Sequence, residues 1–108
     1  MAEDPVMKKK TDYIYRTFKE LGVNNIYIDP PENKRMKYPC VRVRLNTGRT
    51  RYADNKPHIF TPSWEIIYIG YEPDEEMVNN IMFAFSRISY TRHYTADGLH
   101  HNSFILYY

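Results

Sequence analysis

Four histidines, His58, His93, His100 and His101, are the side chains here best suited to proton transfer or metal binding, since imidazole changes charge near neutral pH. In a terminal hairpin, His93 would lie opposite Asn102 and near His101, with Asp97 at the turn. A metal centre needs three or four converging ligands held by a second layer of hydrogen bonds, and this spacing matches no standard ligand pattern. Polar hairpin residues are the simpler reading. A small basic nuclease could draw a general base and phosphate clamps from His58, Arg49, Arg51, His93 and Tyr94, but nothing in their spacing selects such a site over a solvated surface. The glycines, Gly22, Gly48, Gly70 and Gly98, are scattered singly, so no phosphate-cradling loop is present, nor a GxSxG or HExxH motif. The sequence therefore points to no catalytic residues, no metal and no cofactor.

Arginine and tyrosine stand out more. Arg42, Arg44, Arg49 and Arg51 would cluster around one strand pair, and 11 tyrosines accompany a single tryptophan. Tyrosine joins an apolar body to a polar tip and is enriched at protein interfaces. A formal charge of +2 is too small to announce a nucleic-acid binder, and Lys8-Lys9-Lys10 reads as the solvated side of a helix. One cysteine, Cys40, forms no internal disulfide, so packing or assembly must hold the chain together. No run approaches the roughly 18 apolar residues of a membrane span, and the charged start MAEDPVMKKK has no apolar stretch of the signal-peptide kind behind it.

These residues need elements to place them. Trp64–Tyr71 (WEIIYIGY) is the most apolar run, and alternation puts Phe60, Trp64, Ile66 and Tyr68 on one face and Ile67, Ile69 and Tyr71 on the other. A strand apolar on both faces belongs at the centre of a sheet, with edge-like or bulged pairing before Trp64 because of Pro62. Residues Tyr52–Pro57 read as a turn-rich approach. The spacing predicts a helix over Asp4–Leu21, stopped by Gly22, then a turn at Asn24-Asn25 and a short strand Ile26–Ile28. Cys40–Leu45 alternates, Val41, Val43 and Leu45 inward, Arg42 and Arg44 outward. An acidic start at Glu72–Glu76 predicts a second helix to about Phe85. Asp97-Gly98 predicts a hairpin in which Tyr90 faces Ile105, Ile88 faces Tyr107 and Thr91 sits beside Phe104. The expected fold is one α+β domain over residues 1–108, with residues 1–10 as a flexible extension. It holds two helices on a mainly antiparallel or mixed sheet of four to five strands, ending in a β-hairpin.

Two motifs carry a resemblance. RYADNKPHI at Arg51–Ile59, followed by Trp64-Glu65-Ile66, and YTADGLHH at Tyr94–His101 resemble segments of small tail proteins of long-tailed phages. There a Y-A-D-N/D-K-P-Y/H segment precedes the central strand, and an R-H-Y-x-x-D-x-L-x-H sequence closes a C-terminal hairpin. The similarity is to the tail terminator or tail completion family and covers about Tyr38 to Tyr108. It implies a virion protein of the tail or neck, made in the host cytoplasm. Such a subunit would form a homo-hexameric ring on the last ring of tail tube protein, stop its growth and meet the head-side connector or stopper. DNA would pass through without specific binding. A closed ring needs two different patches per subunit. The Arg49–Pro57 region (Arg49, Arg51, Tyr52, Asp54, Asn55, Lys56) would supply one, and the hairpin face with Tyr94 and His101 another. Arg42, Arg44, Arg49 and Arg51 would pair with acidic groups across the contact. The alternatives are a head-completion or connector protein and, in another class, a small ribonuclease or a module binding single-stranded nucleic acid through stacked tyrosines.

Overall fold

The computed structural model describes residues 5–46, 51–53, 56–59 and 62–108, with side chains described over 8–46 and 62–108. Among these described residues, two helices and seven strands follow in the order α1 (Pro5–Glu20), β1 (Asn25–Ile28), β2 (Cys40–Asn46), β3 (Arg51–Ala53), β4 (Lys56–Ile59), β5 (Ser63–Gly70), α2 (Glu75–Ala84), β6 (Ile88–Ala96) and β7 (Leu99–Tyr107). Five strands form a mixed sheet in the order β1-β2-β5-β7-β6, parallel only between β1 and β2. The fold is α+β, and β5 occupies the centre, as its two apolar faces demand.

Helix α1 starts on Pro5, whose missing N–H costs nothing in the first turn; Asp4, the expected cap, lies outside the described residues. It stops at Gly22, where φ is +93°. Gly22 N–H donates to Lys19 O at 3.0 Å and Val23 N–H to Phe18 O at 3.0 Å. That paired closure needs a left-handed residue, and it brings Val23 onto Phe18 in the core. Helix α2 is capped by Asp74, whose carboxylate accepts from Met77 N–H at 3.0 Å.

Both helices lie on one side of the sheet. Ile14 and Phe18 of α1 and Ile81 of α2, with Phe85 at its end, bury against Val41, Val43, Trp64, Ile66, Tyr68, Phe104 and Leu106. The opposite face has a smaller buried group, Cys40, Ile67 and Ile69, covered by Met36 and Tyr38. Those two belong to the connection between β1 and β2. Parallel neighbours need a crossover long enough to return the chain; here an irregular loop fills that role and no helix covers this face.

Four expectations change. Asn25 opens β1 and is not part of a turn. Tyr71 lies past β5, 65% exposed, with its ring edge-on to Tyr38. Tyr52–Pro57 is no mere approach: β3 and β4 pair antiparallel as a two-stranded sheet of their own, with a register irregularity between Arg51 and Tyr52. Phe60, expected on the Trp64 face, lies outside the described residues. The hairpin register also shifts. The turn predicts it correctly from Ala96↔Leu99 to Arg92↔Ser103, but Tyr90 then pairs with Phe104 and Ile88 with Leu106. Thr91 is the extra residue of a bulge. Without it Ile88 and Tyr90 would project from the face away from the helices; with it Ile88 packs on the core and Tyr90 meets Phe104 edge-on at 5.4 Å.

Candidate functional site

Strand parity sorts the candidate residues onto two faces. On the helix-free face, Arg42 of β2 pairs with Ile67 of β5, Ile67 with Ser103 of β7, and Ser103 with Arg92 of β6. One row across four strands thus carries an arginine at each end, about 14 Å apart at the usual strand spacing. The next row on one side holds Arg44, Glu65 and Ile105; on the other side lie Cys40, Ile69, His101 and Tyr94.

The rigid type I′ turn positions the hairpin end. Asp97 and Gly98 have φ of +54° and +74°, the paired left-handed conformation that matches the twist of two strands. Tyr94 and His101 then face each other and stack, ring centroids 4.7 Å apart and 13° from parallel. The Arg92 guanidinium lies over the outer part of this stack, 4.7 Å from the Tyr94 centroid. His101 Nδ1 is 3.1 Å from Leu99 O, which identifies Nδ1 as the protonated nitrogen. Arg42 is half-buried, and its Nε is enclosed without an acceptor. Burial holds the Cys40 thiol up at about 11, although Arg42 beside it pulls the other way. The thiol is therefore protonated and unreactive at neutral pH.

Of the interface residues expected from sequence, Arg42, Arg44, Tyr94 and His101 share this face. Arg51 and Tyr52 fall in β3 and Lys56 in β4, while Arg49, Asp54 and Asn55 lie outside the described residues. Arg42 and Arg44 lie on β2, which pairs with β1 and β5, and Arg51 on β3, which pairs with β4, so these three do not belong to one strand pair. Arg92 was not among the expected interface residues; the signal for it was its place as the first residue of the R-H-Y-x-x-D-x-L-x-H pattern.

The helix-bearing face carries the second feature, a cleft of about 320 Å³ between the start of α2 and the hairpin, lined by Asp74, Glu75, Asn79, Tyr90, His93 and Asn102 among others. Tyr90 Oη donates to Oδ1 of the buried Asn102 at 2.9 Å. Tyr68 Oη donates to Asp74 Oδ2 at 3.4 Å; burial, then the Asp74 charge, pushes the Tyr68 phenol up. His93 lies opposite Asn102 as the hairpin turn predicts, and its ring meets that of His100, with His93 Nε2 and His100 Nδ1 2.9 Å apart. His93 and Tyr94 emerge on opposite faces, so they do not converge as a nuclease pair would need. Among the described residues no three His, Cys, Asp or Glu side chains are grouped to hold a metal ion, and no helix is long and apolar enough to cross a membrane.

Comparison with known proteins adds no family: no family model, curated protein or solved structure matches the chain.

Proposed function

We propose that this chain is a structural subunit of a phage virion, a tail terminator whose ring caps the tail tube, stops its elongation and joins it to the head-side connector. The observation that carries the reading is the helix-free sheet face, where Arg42, Arg44, Arg92, Tyr94 and His101 are presented on a backbone fixed by four paired strands. Planar and guanidinium groups on a rigid floor suit protein recognition, because little side-chain freedom remains to be lost on contact. Three of these residues, Arg92, Tyr94 and His101, fall on the R-H-Y-x-x-D-x-L-x-H pattern that resembles the phage tail family. The other motif, Arg51–Ile59, forms the separate β3–β4 hairpin, a second contact element distinct from the first, as a closed ring requires. DNA would pass through the ring without specific binding. On this reading the protein is not an enzyme and works in the virion.

The test is assembly. Native mass by light scattering and negative-stain imaging should give rings of six, either free or on tube protein. Tube protein polymerised with the chain should form shorter, capped tubes. A protein that neither binds tubes nor limits their length would end the reading.

A further inference from the structure

The sequence from Pro57 to Ser86 contains five acids, Glu65, Glu72, Asp74, Glu75 and Glu76, and no lysine or arginine. Four of the five fall at the start of α2. Asp74 is occupied as the cap, but Glu72, Glu75 and Glu76 are exposed. One and two turns further along the same outward side of α2 stand the exposed Asn79 and Asn80 and then Phe83, 90% exposed, the most exposed large apolar side chain among the described residues. An acidic helix face with one aromatic projecting from it is built like the anchor half of an interface. Its complement is on the same molecule. Among the described strand residues, the helix-free face carries Arg42, Arg44 and Arg92 and one acid, Glu65. No ion pair engages these arginines among the described residues.

We infer that the acidic outer face of α2, with Phe83 as anchor, docks on the basic sheet face of a second copy of this chain. The two surfaces lie on opposite sides of the sheet and cannot meet within one subunit. The contact is therefore head-to-tail, with one donor face and one acceptor face per copy, and it closes into a ring when the rotation per step allows. Helix α1 is also basic, but it is the poorer acceptor. Lys10 is held by Tyr108 O at 3.1 Å and Lys19 by Asn24 O at 3.1 Å, and flexible lysines lose more freedom than strand-mounted arginines on forming a pair. This inference rests on the ring reading above only for the closure of the contact; the pairing of faces stands on charge and exposure.

The test uses the full chain in two charge-reversed forms. One carries Glu72→Arg, Glu75→Arg and Glu76→Arg; the other carries Arg44→Glu and Arg92→Glu, with Arg92→Glu alone as a second variant because it alters only an exposed side chain. Each form, checked for folding by circular dichroism, should be monomeric in sedimentation where the wild type self-associates. Mixing the two should restore association, since each now offers what the other's faces require. Phe83→Ser should weaken self-association by roughly tenfold. A wild type that stays monomeric throughout, or reversed forms that still self-associate, would overturn the inference. So would charge reversal that changes only retention on single-stranded DNA, which would make the basic face a nucleic-acid surface. Restored association without tube capping would leave this contact standing and remove the tail-terminator reading; tube capping indifferent to these substitutions would do the reverse.

Discussion

The two faces of the five-stranded sheet are made by the same strands and have different work. On the helix side Val41 and Val43 of β2, Trp64, Ile66 and Tyr68 of β5 and Phe104 and Leu106 of β7 are buried, and both helices lie against them. On the other side the same strands present arginine, serine, histidine and tyrosine around a small buried group that only a loop covers. The helix side holds the stability; the open side, freed from that demand, can carry charge and planar groups. Function in this chain is therefore to be sought where alternation departs from apolar.

Substitutions can break that contrast, beginning with the largest effect. Phe104→Ala on the helix side removes a fully buried ring at the sheet centre and should cost about 3–5 kcal/mol in urea unfolding. Ile105→Ala, one residue along and half-buried on the open face, should cost far less; equal losses would show that the open face is a second core.

Alkaline pH gives a second contrast. The folded Cys40 pKa lies at about 11, above its ordinary value of 9.0, so the neutral thiol favours the folded state. Its contribution is whole below pH 9 and is lost as pH rises toward 11, amounting to about 2–3 kcal/mol at full ionisation. The raised Tyr68 phenol has the same sign and steepens the decline. Unfolding free energies measured across this range should fall, and Cys40→Ala should flatten the slope while lowering the plateau.

Asp74→Ala removes the α2 cap and should destabilise by about 1 kcal/mol, read from the shift of the thermal midpoint. Arg92→Ala is the smallest change. Its side chain is exposed and stacked on Tyr94, so stability should move by no more than about 0.5 kcal/mol. A loss above 2 kcal/mol would mean the open face is structural rather than free for a partner.

Much of the fold was legible in local patterns. The β5 run, the alternation of β2, the proline and glycine that bound α1, and Asp97-Gly98 each carry a local physical cause, and each element formed where that cause placed it. What escaped was non-local. The bulge at Thr91 lets Ile88 reach the core and Tyr90 the helix-bearing face after the turn has fixed the opposite parity, and counting from the turn alone cannot register that conflict. The β3–β4 hairpin escaped because Asp54-Asn55 and Pro57 read as breakers, and three- or four-residue strands leave almost no periodicity. The Tyr94–His101 pair was visible in the hairpin register, but Arg92 was not singled out, and joining it to Arg42 required the order β2-β5-β7-β6, which no local pattern contains.

The proposed tube-ending role is tested most directly by the length distribution of tail-tube protein polymerised with and without this chain. The account predicts shorter tubes, each bearing a ring of this protein at one end, with mean length falling as the ratio of the chain to tube protein rises. Tubes of unchanged length, with the chain left free in solution, would contradict it.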